Sequence, residues 1–406
     1  MMKNFLPTAA VLAAGSLLWG GLSSEPASAK NRKIAPVITE NVDFAAQQVQ
    51  LMVDTMDTFK DIPSPRTLNE KGQLAFTTLD DWTSGFFPGT LWYLYELTGD
   101  SKWLKPAVHY TEGMERIKYY RGNHDIGFMI FCSFGNGLRL TEKEPYKEVI
   151  VTAARTLSER YRPGAGVIQS WPQWRGWDCP VIIDNMMNLE LLFEATRMSG
   201  DSSFWKIATS HADQTMKHHY RPDMSCYHVV DYDSKTGEVR SRVTAQGYAD
   251  SSAWARGQAW GLYGYTLCYR YTHDPKYLKQ AEDIAKFIFT NKNLPEDLIP
   301  YWDYDVPNIE REPRDASAAA VTASALYELS TYVGRKQGKM YKKLADRIVE
   351  TLGSPAYRAE LGENGYFVLM HSTGNKPGPS EVDVPLVYAD YYFLEALKRK
   401  RDLENK

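Results

Sequence analysis

Asp184 occupies an unusual setting for a carboxylate. Val181-Ile182-Ile183 precede it and Met186-Met187 follow it, so the side chain is expected to be desolvated, its pKa raised and a proton retained near neutral pH. Asp125, directly after His124, offers a second carboxylate from a distant part of the chain. A protonated acid and a partner carboxylate set among aromatic rings are the equipment of sugar chemistry. Such rings are at hand in polar segments: Trp82, Phe86, Trp171, Tyr248, Trp254, Trp260 and Trp302.

Arg256, between Trp254 and Trp260, carries a planar fork able to hold a carboxylate bidentately, although an isolated Arg ordinarily pairs within its own protein. His228 and Gln246 lie on the two arms of an expected strand pair, CYHVVD (226–231) and EVRSRVT (238–244). Both can reach hydroxyls at the same place, while the ordinary role of a lone His is structural. For Asp250 and Asp315 a helix N-cap and a site role are both open.

Other chemistries find no support. CxxC and HExxH are absent, so no metal is expected. GxGxxG, GxxxxGK[ST] and GxSxG are absent too, which removes nucleotide cofactors and serine-esterase chemistry. With 47 Lys+Arg against 50 Asp+Glu, net −3, the chain has no positive field for nucleic acid. A 43% hydrophobic fraction and only 28 Gly exclude disorder and collagen. The 11 Trp, 26 Tyr and 15 Phe exceed simple core filling.

The elements that must position these residues recur. An apolar-aromatic helix, a Gly-Asp, Glu-Pro or Asp-Pro break and a second helix appear at 89–114, 131–157, 189–216, 259–289 and 320–352. End helices at 40–60 and 387–400 bring the expected total to twelve helices in six pairs. Both end helices have apolar stripes, which favours closure over the polar caps of an open solenoid. The expected fold is therefore all-α, an (α/α)6 barrel or six-hairpin toroid, with one small inserted β-hairpin. Its polar, aromatic loops at 80–89, 121–128, 170–188, 246–260, 301–317 and 380–390 should converge on one mouth.

Residues 1–29 read as a secretory signal: Lys3, an apolar run from Leu6 to Leu22, and Ala27-Ser28-Ala29 before Lys30. Residues 30–406 would form one catalytic domain, periplasmic or secreted and without a membrane anchor after cleavage. Cys132, Cys179, Cys226 and Cys268 allow three disulfide pairings, but Cys132 and Cys268 sit in apolar helical runs and read as small buried hydrophobes.

From about residue 40 to 400 the sequence resembles the unsaturated glucuronyl hydrolases of glycoside hydrolase family 88. The carriers are DWTSGFFPG (81–89), NHDIGF (123–128), SW (170–171), IIDNMMNLELL (182–192), the His228 strand, QGYADSSAWARGQAWGLYG (246–264) and EVDVPLVYADYYFLEAL (381–397). Family 105, the unsaturated rhamnogalacturonyl hydrolases, is the nearest alternative; an inverting glycosidase and a non-catalytic sugar-binding protein are more distant ones. The resemblance implies a cofactor-free enzyme acting on glycosaminoglycan-type oligosaccharides whose non-reducing end is a 4,5-unsaturated uronic acid. It implies Asp184 as general acid/base and Asp125 as the second essential carboxylate. Substrate contacts are implied for Trp82, Phe86, His124, Trp171, His228, Gln246, Arg256 and Trp260. In HSTGNKPGPSE (371–381), Ser372, Thr373, Asn375 and Lys376 are placed to meet the next sugar or its sulfate, with a ligand-free turn as the other reading. Oligomeric state is left open.

Overall fold

The structure is a computed structural model that describes residues 35–59, 62–173 and 175–405. The expected signal at 1–29 lies outside the described residues. Twelve main helices follow in order: α1 (Pro36–Met56), α2 (Phe86–Thr98), α3 (Leu104–Glu112), α4 (Ile126–Ile130, continuing through a π-turn Phe131–Gly135 into Asn136–Thr141) and α5 (Glu144–Ser158). Then come α6 (Leu189–Ser199), α7 (Ser202–His218), α8 (Ala255–Thr272), α9 (Pro275–Thr290), α10 (Ala316–Leu329), α11 (Arg335–Leu352) and α12 (Val387–Glu404).

The repeated break is readable as two caps in succession. Gly99 (φ 68°) and Gly200 (φ 75°) end α2 and α6 in the left-handed region, where glycine has no Cβ penalty. The next residue but one begins a 3₁₀ turn (Ser101–Trp103) that leads into α3 in the first case and α7 itself in the second. Asp100 accepts from Lys102 N–H (2.9 Å) and Asp201 from Ser203 N–H (2.9 Å). Asp274 accepts from Lys276 N–H (3.1 Å), with Pro275 preset at the first helical position. Each such cap is worth about 1 kcal/mol. The starts of α5 and α11 lack such a side-chain cap, and the chain alternates between an inner and an outer layer.

The inner layer closes on itself: α2 packs on α4, α4 on α6, α6 on α8, α8 on α10, α10 on α12, and α12 back on α2. This is the (α/α)6 barrel. The inner helices are apolar nearly all round, as a doubly covered layer requires, and Ala316–Leu329 is buried except at Glu328. Helix α12 supplies Tyr391, Tyr392 and Phe393 to the core. All four cysteines are buried and free.

The β content exceeds the one inserted hairpin expected. Strands β1 (Ser64–Leu68) and β2 (Leu74–Thr77) pair, as do β3 (Tyr161–Arg162) and β4 (Val167–Ile168). The expected hairpin is joined by a further strand: β5 (Cys179–Ile182), β6 (Val229–Tyr232) and β7 (Val239–Val243) form one sheet, with Ile182 opposite Val229 and Val229 opposite Val243. The segment 371–381, read as a sugar contact or a ligand-free turn, is a hairpin, β8 (Ser372–Asn375) with β9 (Ser380–Val384). Short strands next to turns leave little periodicity to read.

At the end where the inner helices finish, they surround a cavity of about 870 Å³ lined by Tyr93, Glu190, Arg270, Glu328, Glu395 and Arg399 among others. Arg270 bonds Glu190 and Glu328; Arg399 bonds Glu328 (2.8 Å); Glu395 accepts from Tyr93 (2.9 Å), Tyr263 (3.0 Å) and Ser324 (2.5 Å) hydroxyls. Five inner helices are thereby cross-linked by charge and hydroxyl groups that satisfy one another.

On α12 the buried Asp390 accepts from Val368 N–H (2.8 Å) and Leu369 N–H (2.9 Å), leading the chain toward β8. Burial pushes its carboxyl up to about 7. Unfolded, it titrates near 3.9. The folded protein therefore binds an extra proton between these values, and the stability from this group is present at low pH and lost as pH rises through about 7. Thermal melts should show wild type losing Tm relative to Asp390→Asn between pH 5 and 8; parallel curves for the two proteins would contradict this.

Candidate active site

Asp184 sits on a 3₁₀ turn, Ile183–Asn188, between the end of β5 and the start of α6. Asp125 immediately precedes α4. The two segments touch: Asn188 Oδ1 accepts from Phe128 N–H (2.9 Å). A Cβ on Gly127 would lie 2.5 Å from Asn188 Oδ1 and 2.7 Å from its Cα. Only glycine permits that approach, and the approach brings the carboxylates together.

Both carboxylates are buried, Asp184 at 9% exposure and Asp125 at 8%. Burial raises Asp184 to about 6, opposed first by the positive charge of Arg256 and then by a backbone bond. Asp125 is pushed well above the usual carboxylate range by burial, then by the negative charges of Asp184 and Asp81, against Arg160. Two carboxyls in one dry pocket titrate as a pair, and the pair retains a proton near neutrality.

Two histidines complete the core of the site. His228 Nδ1 accepts from the backbone N–H groups of Ala245 and Gln246 (both 3.1 Å). Its hydrogen is therefore on Nε2, which stands 3.7 Å from Asp184 Oδ2. His124 Nε2 stands 3.3 Å from Asp125 Oδ1. Burial lowers both rings to about 3, so both are neutral donors or acceptors, not cations.

Several buried polar atoms here have no hydrogen-bond partner in the protein: Asp184 Oδ2, His228 Nε2, Trp260 Nε1, Arg256 Nε and Tyr388 OH. An unsatisfied buried group costs about 1–3 kcal/mol. Their gathering around one carboxylate pair marks the place where a polar ligand is received. Over them stand the half-buried Trp82, 4.9 Å from the Tyr388 ring, and Trp171, stacked on Trp177 (6.1 Å, 19°) and edge-on to His228 (6.3 Å). Both rings are partly open.

Several expected contacts are corrected. Phe86 is wholly buried against Phe128, Tyr388, Tyr391 and Tyr392 and packs edge-on to Trp82. Trp260, also wholly buried, offers only its N–H from below. His124 has no exposed surface and works through Asp125. Trp254 and Trp302 are buried as well, and Tyr248 is half exposed at the rim.

Arg256 does not present a free fork. Its Nη1 donates to Asp315 Oδ2 (2.9 Å) and Thr373 O (2.5 Å), and its Nη2 to Gly374 O (2.6 Å). Trp254 and Tyr388 stack at 4.5 and 5.5 Å. The Nη1 hydrogens and one of Nη2 are thus committed, while Nε has no partner in the protein and the charge remains beside the pocket. Asp315 is both the N-cap of α10, accepting from Ser317 N–H (3.1 Å), and the partner of Arg256. Asp250 instead closes a turn by accepting from Thr244 N–H (2.8 Å). Gln246 spends its amide on Gly374 O (3.1 Å).

Ser372 is wholly buried, Asn375 Oδ1 closes its own turn through Gly378 N–H (3.1 Å), and Lys376 is paired with Glu312. Residues unforeseen in the sequence are Tyr388, Asn188, Ser170 and the ion triad Asp81–Arg66–Glu381, with Arg66 donating to Asp81 (2.5 Å) and Glu381 (2.5 Å). Tyr388 and Asp81 lie within motif segments singled out above, so they were legible as places but not as roles.

A closed (α/α)6 barrel whose inner-helix N-termini gather a buried carboxylate pair beneath aromatic rings is the architecture of a carbohydrate-cleaving hydrolase. Glycosyl Hydrolase Family 88 matches residues 56–271, and the chain belongs to that family. It is 52% identical to an unsaturated glucuronyl hydrolase of Formosa agariphila over 80% of each chain. It is 34% identical to an unsaturated chondroitin disaccharide hydrolase of Streptococcus pyogenes, covering 89% of this chain and 90% of that one. Among solved structures, an unsaturated glucuronyl hydrolase specific for heparin superposes with TM-score 0.88 at 45% identity, covering 91% of this chain and 98% of the other. That of Bacillus sp. GL1, responsible for glycosaminoglycan degradation, has TM-score 0.82 at 29% identity, covering 89% and 95%.

Removing one partner of a buried ion pair strands the other. Arg256→Ala should therefore destabilise the protein by about 3–5 kcal/mol in denaturant melts. A loss below about 1 kcal/mol, the range of an exposed pair, would contradict the reading of Arg256 as a buried structural charge.

Proposed function

We propose that this protein is an unsaturated glucuronyl hydrolase that releases the 4,5-unsaturated uronic acid from the non-reducing end of lyase-generated, glycosaminoglycan-type oligosaccharides. The observation that carries the reading is the buried Asp125–Asp184 pair, which retains a proton beside two neutral histidines. An enol ether needs such a proton. Asp184 delivers it to C4, and the charge that develops at C5 is quenched by water, whose proton returns to the Asp184 carboxylate. The C5 hemiketal opens to a ketone, the ring oxygen becomes a hemiacetal hydroxyl on C1, and its collapse expels the leaving sugar. The two carboxyls share one proton, and repulsion between their charged forms keeps it bound near neutrality.

His228 Nε2–H and Trp260 Nε1–H are the donors for substrate oxygens next to Asp184, and Trp82 and Trp171 provide the stacking faces. Arg256 contributes its charge and Nε toward the uronate. Export to the periplasm or medium rests on the Lys3, Leu6–Leu22 and Ala27-Ser28-Ala29 pattern. No organic cofactor or metal is invoked for these steps.

An unsaturated disaccharide loses its ultraviolet absorbance when the conjugated enol is hydrated. That absorbance should fall with the purified protein, and kcat should drop about 10²–10⁴-fold in Asp184→Asn while the substrate still binds. In deuterated water the label should appear at C4. Constant absorbance across glycosaminoglycan and rhamnogalacturonan fragments overturns the reading. For Asp125→Asn, the lost repulsion should move the basic limb of the kcat profile to lower pH; an unmoved limb would assign Asp125 a purely structural role.

A further inference from the structure

The two site histidines are fixed from behind in different ways. For His228 two backbone N–H groups impose the tautomer. For His124 the group behind the ring is the hydroxyl of Ser170, which is wholly buried between the two carboxylate-bearing segments. Its Oγ accepts from Ile182 N–H (2.9 Å), two residues before Asp184, and stands 3.4 Å from Nδ1 of His124, the residue before Asp125. Its carbonyl accepts from His124 N–H (3.0 Å) and Arg160 Nη2 (3.2 Å), and its N–H donates to Pro180 O (2.8 Å).

A hydroxyl oxygen that already accepts an amide hydrogen sends its own hydrogen elsewhere, and His124 Nδ1 is the acceptor it faces. His124 Nε2 makes no hydrogen bond within the protein but stands 3.3 Å from Asp125 Oδ1, and Asn185, its amide held by Ile168 O (2.7 Å), lies beside the imidazole.

We propose that Ser170 is a positioning residue for the hydration reaction: its hydroxyl holds His124 as the neutral Nε2–H tautomer, so that a donor faces Asp125 and the shared proton resides on Asp184. The kinetic part of this rests on the activity proposed above; the tautomer itself does not. The charged and titratable groups around Asp125 are His124, Asp184, Asp81, Arg160 and Tyr120. Among them the His124 donor is the one whose presence depends on a hydroxyl. Without it the ring can carry its hydrogen on Nδ1, and the Nε2 lone pair then faces Asp125. Only a protonated Asp125 satisfies that lone pair, so the proton leaves Asp184 for Asp125. The catalytic acid is emptied although no catalytic side chain has changed.

The test uses the full chain with ¹⁵N-labelled histidine, the His124 signals being assigned by their loss in His124→Gln. In wild type the His124 ring should be neutral with hydrogen on Nε2; hydrogen on Nδ1 overturns the proposal, whether or not any variant folds. In Ser170→Ala the Nδ1–H form should appear. Its kcat on an unsaturated disaccharide should fall roughly 10- to 100-fold, with KM changed less than about threefold. The basic limb of its kcat profile should move to higher pH, because the pair now holds its proton more tightly. A variant that keeps the wild-type tautomer and pH profile overturns the proposal, even if its rate is lower. If wild type turns over no unsaturated sugar, the proposed activity falls while the ring spectra still decide the tautomer.

Discussion

Asp125 and Asp184 are buried in one pocket; burial pushes both upward, and the charge of Asp184 pushes Asp125 further. A carboxylate in such a place is expensive to ionise, and a second one beside it more so. The surroundings are arranged to leave this tension in place. Each carboxyl is met by an imidazole lowered to about 3, which can donate a hydrogen bond but does not neutralise the charge. A cationic histidine at either position would form an ion pair, pull the carboxyl down and discharge the acid.

The positive charge that the pocket does contain is kept at one remove. Arg256 is committed to Asp315 and to the carbonyls of Thr373 and Gly374, so it acts on Asp184 through the field and holds the β8 strand against the barrel. One buried pair thus ties α8, the N-terminus of α10 and the C-terminal hairpin into one rigid wall. The aromatic residues divide in the same manner. Phe86, Trp254 and Trp260 are the packed base, and Trp82 and Trp171 remain partly open above it.

A barrel of this kind has two ends with opposite demands. At one, inner-helix N-termini and their loops expose unpaired polar atoms to a ligand. At the other, Arg270, Arg399, Glu190, Glu328 and Glu395 satisfy one another and cross-link the ring. A network that is complete rigidifies, and a set left incomplete is available for binding. The site's precision rests on close backbone approach, of which Gly127 against Asn188 is the clearest instance.

Much of this was legible in the primary structure. The Gly-Asp and Asp-Pro breaks are local capping chemistry, so the hairpins and the twelve helices could be counted before any tertiary contact was known. Asp184 stood out because its neighbours are apolar, and burial follows from neighbours. The strands β5 and β8 were not legible, being four residues each and dependent on partners far along the chain. Arg256 shows the same limit: between two Trp residues it reads as a ligand fork, yet Asp315 and Gly374 reach it from 59 and 118 residues away.

By itself, then, the sequence determined the helical hairpins, the apolar setting of Asp184 and the aromatic character of the mouth, because caps, periodicity and local apolarity are short-range properties. Only the tertiary structure decided which aromatic rings stay open, that Arg256 and Lys376 are already paired, and that Ser170 stands behind His124. Those outcomes depend on which groups meet across the closed ring, and the vacancy or saturation of a hydrogen-bonding atom is settled only when its distant partners arrive.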